Sequence, residues 1–214
     1  MKKLLLHPAA KPVVFLACLL PFAWLFYSAL TNQLGANPAE ALIRATGDWT
    51  LRFLCIVLAV TPLRVISNTP ALARFRRMLG LFVYFYVLVH LLSYSWFDMG
   101  FDVADIVRDI IKRPFILVGF AAFLLLTPLA ATSFNAAIRR LGAKRWQMLH
   151  KLVYLIAGLG LLHFFWMRSG KNDFAEVAVY AAIIAALLGW RVWQHWGRRK
   201  NPTGPRPAAA TRLQ

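Results

Sequence analysis

Apolar positions run in long blocks along this chain, not at the two- or four-residue spacing of a half-buried strand or helix. The blocks cover residues 12–30, Trp49 to Leu63, Met78 to Phe97, Pro114 to Ala131, Lys144 to Arg168 and Phe174 to Trp196, with short polar segments between them. An α-helix needs about 20 apolar residues to cross a hydrocarbon core of about 30 Å. The pattern therefore predicts an all-α polytopic membrane protein with six transmembrane helices in residues 1–196, and an even number of spans puts both termini on one side. The first run reads as a retained anchor and not a cleaved leader, because it is long and no clear small-x-small site ends it. Residues 197–214 hold Pro, Ala and Arg without apolar periodicity and are expected to form a disordered basic tail.

Composition agrees with a membrane protein: 60% of the 214 residues are hydrophobic, 15% are charged and the mean hydropathy is +0.58. A net charge of +17 would suggest nucleic acid in a soluble protein. Here the placement of the charge argues instead for topology. Arg64, Arg74, Arg76 and Arg77 lie in one connection and Arg139, Arg140, Lys144 and Arg145 in another. Loops rich in Lys and Arg stay cytoplasmic, which places these loops and both termini inside. All eight acids, Glu40, Asp48, Asp98, Asp102, Asp105, Asp109, Asp173 and Glu176, then fall outside, a partition independent of the basic loops that set the sides. In the outer connection Asp102, Asp105 and Asp109 recur at helical spacing beside Ile106, Ile110 and Ile111. This predicts an interfacial helix with a solvated acidic face, where a partner outside the membrane could dock. Cys18 and Cys55 sit in apolar runs with no CxxC or CxxCH pattern, so they read as core thiols.

A short internal repeat accompanies this plan. Spans two and four both end in Thr-Pro-Leu, at Thr61 and Thr127, and each leads through a basic loop into a histidine-bearing span. Met78-Leu79 with Val83-Tyr84 matches Met148-Leu149 with Val153-Tyr154, and in that register Gly80 stands where His150 stands. Two similar hairpins packed together are the expected result.

The candidate chemistry lies in three histidines. His90 follows Arg77 by 13 residues and His163 follows His150 by 13, so each lies about 20 Å along an outward-going helix and both reach the same outer depth. An ionisable side chain at membrane depth is a candidate functional residue. Two neutral imidazoles at one depth on neighbouring helices suit axial ligation of a haem iron. A single histidine in a span more often makes a helix-to-helix hydrogen bond, and it is the matched pair that favours ligation. His150 lies near the inner surface beside Lys151, and about 1300° of turn separates it from His163, so the two do not serve one ligand. Gly158 and Gly160 leave room for a flat macrocycle or simply ease helix packing. His7 and His195 read as surface residues. The basic clusters read as topology determinants, or as holders of haem propionates or a flavin phosphate. A histidine-using metal or proton transporter remains an alternative reading, as does a stand-alone metal reductase, but the spans hold almost no carboxylate besides Asp48.

Several stretches together resemble the MsrQ (YedZ) family, haem-binding membrane subunits of the bacterial periplasmic methionine sulfoxide reductase system, within the ferric-reductase-like transmembrane superfamily. They are RRMLGLFVYFYVLVHLLSY around His90, LGAKRWQMLHKLVYLIAGLGLLHFFW with His150 and His163, KRPFILVG at the start of span four, and NPAEALIRATGDWTLRFL. The resemblance implies a b-type cytochrome of the bacterial inner membrane, an electron-transfer subunit whose partner performs the catalysis. Electrons would come from the quinone pool or a cytosolic flavin reductase, with FMN as a second cofactor. They would leave to a periplasmic molybdenum-cofactor (molybdopterin) methionine sulfoxide reductase in a heterodimer. It also implies that His90, His150 and His163 are the haem histidines; their depths make His90 and His163 the expected axial pair and His150 an inner-side ligand or cofactor contact. Larger members of the superfamily carry two histidines on each of two spans, whereas span three here has only His90, which argues against a second bis-histidine haem. Those larger proteins also carry a flavin and nicotinamide domain, and with only a short tail here the electrons are expected from another molecule.

Overall fold

The structure, a computed structural model, describes residues 2–170 and 172–200. Its helices in order are α1 (Lys2–Leu6), α2 (Ala10–Leu30), α3 (Pro38–Ile66), α4 (Arg76–Phe97), α5 (Val103–Lys112), α6 (Pro114–Ala131), α7 (Asn135–Leu141), α8 (Ala143–Leu149), α9 (Leu152–Ser169) and α10 (Ala175–Lys200), with a 3-10 segment at Pro70–Phe75 before α4. No strand occurs among the described residues. Six helical segments are long and apolar enough to span a membrane: α2, α3, Pro70–Phe97, α6, Ala143–Ser169 and Ala175–Gly197. The expected tail from residue 201 onward lies outside the described residues.

Two boundaries differ from the reading of the apolar blocks. Helix α3 begins 11 residues before Trp49, at Pro38, so much of the expected polar loop is helical. Its start signal is local: the Asn37 side chain accepts a hydrogen bond from the Glu40 N–H at 3.2 Å, and Pro38 fills the first helical position, where its missing N–H costs nothing. The Glu40–Arg44 ion pair at 2.6 Å then supports the first turns at i,i+4 spacing. The fifth span is broken between α8 and α9, and His150 is the residue that caps α8.

Helix α3 is the centre of the fold, buried at Leu51, Phe53, Leu54, Cys55, Val57 and Leu58. It packs most extensively on α4, while α6 packs on α9, so the molecule is built on two helix pairs. Helix α2 lies at the edge, exposing Val13, Leu16, Leu20 and Trp24, as a helix against lipid tails does. One side chain secures it. The fully buried Tyr86 of α4 donates its hydroxyl hydrogen to the Cys18 carbonyl at 2.9 Å and accepts from the Phe22 N–H at 3.0 Å. The phenol thus stands between two groups that would otherwise bond each other in α2, next to Pro21. Both cysteines are free and buried, as the apolar setting predicted.

Outside the spans, α5 is the helix expected in the acidic connection, begun by Asp102, whose side chain accepts from the N–H groups of Ala104 and Asp105. Its three acids part company. Asp105 pairs with Arg108 at the surface, while the buried Asp109 accepts from the Tyr94 hydroxyl at 2.7 Å and pairs with Arg113 at 2.7 Å. The solvated face is therefore smaller than the spacing suggested, and Asp109 ties α5 to α4.

Candidate functional site

His90 of α4 and His163 of α9 face each other, with ring centroids 6.2 Å apart and ring planes crossed at 77°. The equal depth inferred from their spacing is thus realised as a facing pair. Each ring is held from behind. His90 Nδ1 lies 2.8 Å from the Ile43 carbonyl oxygen of α3, with the Thr46 hydroxyl at 3.4 Å, and His163 Nδ1 lies 2.6 Å from the Phe115 carbonyl oxygen of α6. A carbonyl oxygen only accepts, so Nδ1 carries the hydrogen in both rings and Nε2 keeps its lone pair. That is the tautomer a metal-binding imidazole needs, and a backbone carbonyl on the far nitrogen is the usual device for fixing it.

The spacing fits one ion held between two imidazoles. A metal–nitrogen bond of about 2 Å and a nitrogen-to-centroid distance of about 1 Å put the centroids of two axial rings about 6 Å apart. Among the described residues no three His, Cys, Asp or Glu side chains gather into a group that could hold a metal. An ion between these rings would therefore draw its other ligands from a group such as a porphyrin, whose four nitrogens leave two axial positions. Space for one exists. The pair lines a cavity of about 470 Å³, within the range of cofactor sites. Its walls include Leu54, Val83, Phe120, Leu126 and Ile156, and Glu40, Arg44, Asp48, Asp98 and Arg113 stand at the acidic end. Arg44 and Arg113, paired with Glu40 and Asp109, are the cations at that end for the carboxylates of a haem edge. Burial pushes the Asp98 carboxyl above the ordinary carboxylate range; Arg113 opposes this, while Asp109 and Glu40 add to it.

His150 is not part of this cavity. It lines a second, of about 260 Å³, with Arg76, Arg77, Gly80, Ser133 and Trp146. Gly80, which the internal repeat matches to His150, lines the same cavity, and His150 is the one histidine among its lining residues. The Trp146 ring lies over the imidazole with centroids 4.0 Å apart, the Trp146 indole donates to the Thr132 carbonyl at 2.9 Å, and His150 Nε2 lies 3.3 Å from the Thr132 hydroxyl. Leu54, Val83 and Leu126 line both cavities, so a single layer of side chains separates them. Of the two glycines considered in α9, Gly160 lines the larger cavity and Gly158 meets nothing. His7 and His195 are exposed.

The sequence reading missed Gly47 and Gly119. A Cβ at Gly47 would lie 3.1 Å from Cε1 of His90, and one at Gly119 would lie 2.7 Å from Nδ1 of His163. Glycine inside a helix costs about 1 kcal/mol relative to alanine, so one in each helix facing a histidine span was a signal that something packs there.

The family model of the ferric reductase like transmembrane component matches residues 46–161. Among curated proteins, a relative from Polaromonas naphthalenivorans named protein-methionine-sulfoxide reductase heme-binding subunit MsrQ is 82% identical over 94% of this chain and 91% of its own length. Proteins of the same name from Herminiimonas arsenicoxydans and Caulobacter vibrioides are 54% and 46% identical, over 89% and 87% of this chain and 88% and 87% of their own lengths. No solved structure matches the chain.

Proposed function

The chain belongs to the MsrQ family of ferric-reductase-like transmembrane proteins, and from that premise we propose that it is a membrane b-type cytochrome carrying electrons outward to a methionine sulfoxide reductase. The facing pair of His90 and His163, 6.2 Å apart with both Nδ1 atoms engaged by backbone carbonyls, is the observation that carries this reading. A haem held there supplies one-electron cycling between ferric and ferrous iron. The chain's own part is to present two Nε2 lone pairs, to surround the macrocycle with apolar side chains, and to meet its carboxylates with Arg44 and Arg113 at the acidic end. With His90 and His163 both holding it, such a haem would have no position left for a small oxidant and would suit electron transfer.

The placement of charge orients the path. Basic loops and both termini face the cytoplasm of the bacterial inner membrane, so the larger cavity opens outward. The smaller cavity, with His150, Arg76 and Arg77, faces the side from which electrons enter, and a quinone or a cytosolic flavin reductase meets the chain there, with FMN as a second cofactor. Only the layer of Leu54, Val83 and Leu126 lies between the two cavities. The partner is a periplasmic molybdopterin-containing reductase. In it a methionine sulfoxide takes up two electrons and two protons to give the thioether and water, which reverses the oxidation. The transporter reading needs a polar path across the membrane, and although Glu40, Asp48 and Asp98 line the larger cavity its walls are mainly apolar.

The test is a dithionite-reduced minus oxidised spectrum of the purified protein with haem per chain. Wild type is expected to show b-type bands that His90→Ala and His163→Ala abolish, while His150→Ala retains them. A colourless wild type expressed with ample haem would overturn the cytochrome reading.

A further inference from the structure

The two histidine seats are built alike. In α3 the acceptor carbonyl belongs to Ile43 and a glycine stands four residues later, at Gly47; in α6 the carbonyl belongs to Phe115 and the glycine is Gly119. In an α-helix the carbonyl of residue i points along the axis toward the N–H of residue i+4. A side chain at i+4 would ordinarily cover the flank of that carbonyl. With glycine there the flank is bare, and an imidazole can lie against the backbone and donate to the second lone pair of the oxygen. Other glycines in the spans show no such pairing: nothing lies within 4 Å of a Cβ built at Gly80, Gly158 or Gly189.

We propose that Gly47 and Gly119 are positioning residues for the haem ligands, each acting through the ring that it lets reach the carbonyl one turn earlier. Three properties follow from one missing methyl group at each seat. The Nδ1 hydrogen bond leaves Nε2 as the ligating atom. Ring contact with bare backbone sets the orientation of each plane, and hence the 77° crossing. The N–H···O=C bond gives the imidazole partial imidazolate character, which stabilises ferric iron and lowers the reduction potential.

The seats are not equally tight. At Gly119 an added Cβ meets Nδ1, Cε1 and Cγ of His163 at 2.7, 2.9 and 3.1 Å, so the ring must leave its place. At Gly47 the nearest atoms of His90 are at 3.1 and 3.2 Å, which a displacement of a few tenths of an ångström relieves. The effect of alanine is therefore graded, larger in α6 than in α3.

This inference rests on the haem reading, and one experiment separates the two. The full-length protein is purified as wild type, Gly47→Ala, Gly119→Ala and Gly158→Ala, and each is examined for haem per chain, midpoint potential and low-temperature EPR of the ferric state. Wild type is expected to give the highly anisotropic low-spin signal of crossed imidazole planes. Gly119→Ala is expected to raise the potential and to reduce that anisotropy, with partial haem loss; Gly47→Ala shifts both in the same direction by less, and Gly158→Ala leaves both unchanged. If Gly119→Ala is not recovered from membranes, Gly47→Ala decides by its potential and signal. Haem-loaded Gly47→Ala and Gly119→Ala proteins indistinguishable from Gly158→Ala would overturn the positioning role and leave the cytochrome intact. A wild type without haem would instead remove the haem reading itself.

Discussion

Tyr86 shows how much one polar atom can decide in an apolar bundle. Its hydroxyl serves both the Phe22 N–H and the Cys18 carbonyl of α2, in a setting with no water to replace it. Tyr86→Phe is expected to destabilise the protein by about 1–3 kcal/mol, the cost of buried groups left unpaired, seen as a lower melting temperature in detergent with unchanged haem bands. A loss below a few tenths of a kcal/mol, with Tyr86→Phe melting like wild type, would mean that α2 closes its own ladder. At this scale the histidines were legible in the sequence, because an imidazole in an apolar run stands out against its neighbours. Their carbonyl partners were not. Ile43 and Phe115 act through backbone oxygen, which every residue has, so no side-chain pattern could single them out.

Among elements, the longest discrepancy is the start of α3. Asn37, Pro38 and Glu40 form a readable start signal, yet the polar residues after it and Gly47 suggested a loop. Those polar residues turn out to line the acidic end of the larger cavity. The break between α8 and α9 was hidden for the opposite reason: it falls at His150 and Lys151 with no glycine or proline to mark it, where Trp146 and His150 pack against Thr132. Helix α5 was foreseen from its spacing, but the burial of Asp109 was not, since it depends on Tyr94 from another helix. Asp109→Asn is expected to weaken the tie to Arg113 and speed amide hydrogen exchange across residues 103–112, with little change in the spans. Equal exchange in variant and wild type would show that α5 is held by its apolar side alone.

For the whole molecule, charge placement makes a prediction about sidedness. Cys18 and Cys55 are buried, so intact cells expressing the wild type should take up little of a membrane-impermeant thiol reagent. Asp105→Cys, on the exposed surface of α5, should label from outside, and Arg139→Cys should label only after the inner membrane is opened; the reverse order would invert the proposed topology. The sequence by itself determined the number and kind of spans, the segregation of acids from basic loops, and the depth shared by His90 and His163. These properties follow from local composition and from a fixed rise per residue, so they need no knowledge of which helices touch. Tertiary structure alone decided which face each helix turns to its neighbour: the pairing of α3 with α4 and α6 with α9, the orientation of two imidazoles at 77°, the carbonyl behind each ring, and the residues that enclose His150. Those depend on contacts between residues far apart in the chain, where a rotation of one helix by a single residue, about 100°, would turn the same side chain from the cavity to lipid.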